Sequence, residues 1–139
     1  MIVQGQTTIF KQHLLSGLEN FATGTPYTYK IALYTANASL DNTTLVYTSS
    51  NEVVGSGYTA GGVTLTPVIP ASSGSTAYIS FSNPIWTGTS FIARGALIYN
   101  ATTNAAVAVL DFGSDKTASG NFTITFPPAT ATTAVIRLS

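Results

Sequence analysis

The chain contains no cysteine. Disulfides, thiolate nucleophiles and thiolate metal sites are therefore excluded. Histidine occurs once, as His13, so no second imidazole is available to complete a zinc site, and the many serines have little to activate them. No G-x-S-x-G elbow is present either. Charge is scarce: 7% of residues are Asp, Glu, Lys or Arg, five of each sign, for a net charge of zero. An ordinary globular chain carries about 25%. No basic stripe marks a nucleic-acid partner and no acidic tail marks a basic one. Long apolar runs are missing as well, and none approaches the roughly 18 to 20 residues of a membrane helix. The opening MIVQGQTTIFKQ lacks the basic-then-apolar layout of a secretory signal, so export by that route is not expected.

What remains is apolar and neutral-polar. The 139 residues suit one domain spanning 1–139, and 45% apolar with 11% aromatic content argues against disorder. Threonine and serine take the places that charges usually hold, and threonine suits a strand surface. A surface with so little charge is a poor choice for a free cytosolic monomer and a reasonable one for a protein in a packed assembly or outside a cell.

One segment has helical periodicity. In TTIFKQHLLSGLENFATG the apolar Phe10, Leu14, Leu18 and Phe21 recur at spacings of four, four and three, which predicts an amphipathic helix over 7–23. Thr7 or Thr8 can cap its start, and Gly24 stands where a terminal glycine would. Its stripe needs burial on a sheet or on a neighbouring subunit. Beyond Pro26 the chain alternates like strands: YTYKIALYT, TLVYTSS, VTLTPVI, TAYISFS, SFIARGALIY, AAVAVLDF, NFTITF and TAVIRLS. Turn chemistry separates them, including SSGS, SNP, NATTN and GSDKTASG. In YTYKIALYT, Tyr29, Ile31 and Leu33 share one face and Lys30, Ala32 and Tyr34 the other. The expected class is mainly β: an antiparallel β-sandwich of about eight strands, jelly-roll or immunoglobulin-like in topology, with one N-terminal amphipathic helix.

Candidates for chemistry are few. The densest glycine stretch, NEVVGSGYTAGG, holds Gly55, Gly57, Gly61 and Gly62. A phosphate loop would need a helix directly behind it, but the alternating VTLTPVIP follows. The glycines therefore point to backbone geometry or close packing. His13 lies beside the helical stripe with only Glu19 nearby in sequence. Asp111 and Asp115, in LDFGSDKT, read as turn residues rather than an acid–base pair, and too few carboxylates adjoin them for calcium. Trp86, near Tyr78 and Phe81, could stack on a sugar or sit in a core or interface. The reading contains no catalytic residue, no metal site and no cofactor.

Two runs carry a resemblance. LYT…TL…YT…NEV.G.GYTAGG..L and ARGALIYN…AVAVLDFG.DK lie within about 100 residues of chain. They resemble small structural proteins of tailed bacteriophages, in particular jelly-roll capsid cement (decoration) proteins like that of a short-tailed Bordetella phage. The resemblance implies a non-enzymatic virion protein, made in the bacterial cytoplasm and bound to the outside of the head. Its partners would be the major capsid protein and a second copy of itself, with no nucleic acid or membrane. On this view Tyr58, Gly57, Gly61, Trp86, Phe10 and Leu14 are interface candidates. The alternative is a tail or fibre domain that recognises host glycan through Trp86 and nearby tyrosines.

Overall fold

The computed structural model describes residues 1–139 apart from Thr23, Thr25 and Ile69. It contains β1 (Gly5–Gln6), α1 (Thr8–Leu15), β2 (Tyr29–Tyr34), β3 (Val63–Leu65), β4 (Ala71–Ser73), β5 (Thr76–Ile79), β6 (Ile85–Asn100), β7 (Ala105–Thr123) and β8 (Ile136–Leu138). The strands form two antiparallel sheets, one of five strands ordered β1-β7-β6-β2-β3 and one of three ordered β4-β5-β8. The expected β-sandwich with one helix near the N-terminus is what the chain forms.

The larger sheet is buried on both faces. Tyr29, Ile31 and Leu33 of β2 enter the main core, which also holds Ile79 of β5 and Ile136 of β8. Ala32 and Tyr34 enter a second core with Ile2, Leu40, Leu97, Tyr99 and Val109. The alternation read from β2 thus separates two cores, because a strand sends successive side chains to opposite faces. The N-terminal residues and an irregular segment after β2 cover the second face.

Helix α1 is shorter than the periodicity predicts. The 7–23 helix ends at Leu15, since Gly17 turns left-handed at φ 72°. There the Leu18 N–H bonds His13 O at 2.9 Å and the Gly17 N–H bonds Leu14 O at 3.3 Å. This glycine-terminated cap closes the last turn, so Gly17, not Gly24, is the stop. Thr23, the expected last helical residue, lies outside the described residues. Phe21 is still buried, but from the coil, stacked on Tyr29 at 4.5 Å between centroids. Phe10 is fully buried, Leu14 half-buried and Leu18 exposed.

Strand assignments differ elsewhere: NFTITF is no separate strand, its first three residues ending β7, and SSGS, expected as a turn, gives Ser72 and Ser73 to β4. TLVYTSS forms no strand, only a bridge between Val46 and Ala105. GSDKTASG, expected as a turn, lies inside the 19-residue β7. The hairpin through NATTN is present, joining β6 and β7 over most of their lengths. Irregularities in that ladder absorb the turn-like residues. Between the pairs Ala93–Lys116 and Gly95–Asp111, one residue of β6, Arg94, stands against four of β7, Phe112–Asp115, so that β7 bulges. The phase shift lets both Ala93 and Ala96 face the main core.

Thr7 joins the helix to the sheet. Its oxygen accepts the Phe10 N–H at 3.2 Å, and its hydroxyl lies 3.0 Å from Ala106 O and 3.2 Å from Val107 O. Its own N–H bonds Val107 O at 2.9 Å. Thr7→Val keeps the shape and removes the hydroxyl, leaving buried partners short of a bond. Urea unfolding is expected to show a loss of about 1–3 kcal/mol.

Candidate functional site

The glycine-rich stretch sits against the sheet and not in solvent. A Cβ on Gly62, at φ 78°, would lie 1.7 Å from Ile31 O in β2. One on Gly57, at φ 79°, would lie 2.7 Å from Thr87 O and 2.8 Å from Gly88 O in β6. Both conditions select glycine: the left-handed backbone and the lack of room for a side chain. The close approach foreseen from the sequence is to this chain's own backbone.

This proximity assembles a polar cluster around Glu52, a residue the sequence reading passed over. Its side chain is buried. Tyr47 O–H donates to Oε1 at 2.5 Å and Tyr58 O–H to Oε2 at 2.5 Å. The Gly61 N–H also reaches Oε2, at 2.7 Å. The Tyr58 oxygen in turn accepts the Leu33 N–H at 2.9 Å, and Tyr99 O–H donates to Gly61 O at 2.7 Å. Tyr47 stacks on Tyr99 at 4.8 Å between centroids. Nearby, Tyr34 O–H donates to Thr48 O at 2.6 Å. A buried carboxylate without a cation is tolerable when donors surround it, and here three from its own chain do so. The only signal in the sequence was an acidic residue at the head of a glycine- and tyrosine-rich stretch.

Burial pushes the phenols of Tyr34, Tyr47, Tyr58 and Tyr99 well up from their ordinary value. The hydrogen bond to Glu52 adds to this for Tyr47 and Tyr58, and the Glu52 charge for Tyr34 and Tyr99. These groups act as fixed donors.

A second buried carboxylate, Glu19, repeats the arrangement behind α1. Its Oε2 accepts Tyr29 O–H at 2.7 Å and Asn100 Nδ2–H at 3.2 Å. Burial and this bond raise the Tyr29 phenol likewise. His13 Nδ1 stands 3.6 Å from Glu19 Oε1, so the two, six residues apart in sequence, are neighbours in space. Asp111 and Asp115 are gathered too, but onto a cation: Arg94 Nε is 3.9 Å from Asp111 Oδ1 and its Nη1 is 3.4 Å from Asp115 Oδ1. Arg94 thereby clips the base of the β7 bulge at the surface, where such pairs contribute little stability.

The interface candidates occupy distinct places. Trp86 is 3% exposed and packs near Tyr58 and Phe122, at 6.5 and 5.8 Å between ring centroids. It offers no open ring face for a sugar. Phe10 lies wholly inside the main core. Tyr58 is half-buried, with its hydroxyl turned inward and its ring edge-on to Phe91 at 5.8 Å. Gly57 and Gly61 line the turn that carries it. Leu14 borders a shallow apolar groove of about 110 Å³ with Phe21, Tyr78, Ile136 and Leu138. A larger cleft, about 700 Å³, opens between β1 and β8. Among the described residues no group of three or more acidic or imidazole side chains is placed to hold a metal ion.

No family model, no curated protein and no solved structure matches this chain.

Two outcomes are expected. Gly62→Ala should prevent folding or lower stability by several kcal/mol, because backbone occupies the new methyl's position. Gly113→Ala has a similar φ, 80°, with open space around it, and should cost only about 1–2 kcal/mol by urea unfolding. The second concerns alkali. Folding raises the phenol values, so their contribution is complete below about pH 10 and is lost as pH rises beyond it, where the unfolded chain releases protons that the folded one keeps. A phenolate absorbance titration should therefore show a late, cooperative rise coincident with loss of near-ultraviolet circular dichroism. Early, independent ionisation of all seven tyrosines would contradict the cluster.

Proposed function

We propose that this protein is a non-enzymatic virion structural protein, a capsid cement that binds the outside of a phage head and bridges major capsid subunits. The observation that carries the reading is the sequence resemblance in the NEVVGSGYTAGG and ARGALIYN regions. The surface supports it. Ten charged residues serve the whole chain, while Leu15, Leu45, Val46, Val54, Ile85 and Ile92 stand open. Such a surface favours coverage in an assembly over life as a free monomer. The buried carboxylates and tyrosines are engaged with one another, which suits a stiff module. The protein would be made in the bacterial cytoplasm and reside on the capsid exterior, joined to the major capsid protein and to copies of itself.

Its mechanism would be contact area and multivalency. Apolar burial contributes about 25 cal/mol per Å² before the costs of association. Contacts to a second or third subunit are then effectively intramolecular. The fibre reading loses its main support, because the buried Trp86 gives a glycan no platform.

Purified particles separated on a gel give the test. A cement should appear in numbers comparable with the major capsid protein, and isolated protein should bind and stabilise emptied shells. A band far weaker than the capsid band, or shells that gain no heat resistance, would overturn the reading.

A further inference from the structure

In the segment that looks like a strand and forms none, Thr44–Ser50, the ends are tied down, with the Thr44 N–H on Asp41 O and Thr48 O accepting Tyr34 O–H, but the edge at Val46 is open. Leu45 C=O accepts the Ala106 N–H at 2.9 Å, and the Tyr47 N–H donates to Asn104 O at 3.0 Å. These two bonds flank the Val46–Ala105 bridge. Peptide groups alternate in direction along an extended chain, so the N–H and C=O of Val46 point away from β7. Among the described residues neither group has a partner. The side chains are open as well, Leu45 at 61% and Val46 at 50%. No charged residue occurs between Asp41 and Glu52.

Sheet edges that stay solitary are usually guarded by charge, proline or a covering side chain. Three others here follow that rule or offer little to cover, and β1, at the fourth, is only two residues long. Strand β8 carries Arg137, and Gln6 Nε2 lies over the Arg137 carbonyl at 3.3 Å. Strand β3 runs on to Pro67, and β4 presents only alanine and serine. The Val46 edge combines unpaired backbone, exposed apolar side chains and no charge.

We propose that this edge pairs antiparallel with the same edge of a second copy, about a two-fold axis at Val46. The edge is self-complementary there, as an isologous contact requires. The Val46 N–H of each copy meets the Val46 C=O of the other, giving two reciprocal bonds. Thr48 then faces Thr44 across the pair; their Thr44 N–H and Thr48 C=O are engaged within each copy, whereas Thr44 C=O and Thr48 N–H have no partner among the described residues. Leu45 and Val46 are covered, and no like charges oppose each other across the ladder. The two five-stranded sheets become continuous through the bridge. This sharpens the self-association in the cement reading but rests on the edge geometry alone, so it is tested without shells.

Sedimentation of the full chain over a concentration series should show a monomer–dimer equilibrium. Exchange of the Val46 amide with solvent should slow as the dimer fills. Val46→Pro removes an N–H that the isolated chain does not use, so it should abolish the dimer and leave the melting temperature of the monomer unchanged. Val46→Lys places two ammonium groups across the axis and should weaken the dimer several-fold at low salt, with partial recovery at high salt. If Val46→Pro does not fold, Val46→Lys decides. A chain that stays monomeric at its highest soluble concentration, or a dimer indifferent to Val46→Lys, would overturn the proposal. Binding of Val46→Lys to shells is a separate measurement. Shell binding without a solution dimer removes this edge and leaves the cement reading, whereas a solution dimer without shell binding does the reverse.

Discussion

The five-stranded sheet is buried on both faces, but the smaller sheet covers only one, and the helix adds only Ile9 to the other. The other face depends on irregular chain after β2 being held down, and Glu52 holds it. Its two oxygens gather Tyr47, Tyr58 and the Gly61 amide into one cluster. Tyr58 then passes the connection to the Leu33 backbone in β2. A loop fixed only by apolar contact could slide, whereas a carboxylate taking directed bonds from three groups sets a single position. The glycines complete the arrangement. Gly62 closes on Ile31 where β3 begins to pair with β2, and so brings the loop ahead of it, with Gly61 and the carboxylate, over the sheet.

How far the sequence reveals this depends on the range of the forces involved. The face alternation of β2 and the NATTN hairpin are local, and both were legible. The helix was legible in kind but not in length, because its periodicity continues through Leu18 and Phe21 while Gly17 ends it by backbone conformation. Phe21 reaches the core from coil, where its spacing from Phe10 carries no helical meaning. The bulge in β7 misled for a related reason. Gly113, Ser114 and Asp115 are good turn residues, and pairing of the flanking residues with β6 keeps them inside a strand.

Candidate site residues were legible by type and not by role. Trp86 and Tyr58 stand out in a chain with one tryptophan and seven tyrosines, yet nothing local says which way they face. Glu19 was invisible as a centre because its partner Asn100 is 81 residues away, and Glu52 because nothing local says that the hydroxyls of Tyr47 and Tyr58 turn inward onto it. A chain with five acidic residues that buries two of them leaves even less charge on its surface than its composition suggests.

The placement of Thr7 bears on how the chain acquires its shape. It bonds Val107, 100 residues further along, and Gly5 and Gln6 pair with Val109 and Ala108. During synthesis the N-terminal strand is therefore made long before the strand it needs. Closing so large a loop is entropically expensive and slow relative to local structure. The β6–β7 hairpin, whose strands are joined by a four-residue turn, has no such delay and can provide the template. Gly5 and Gln6, made long before their partners, are thus among the last to find their place, and until then β7 presents an open edge.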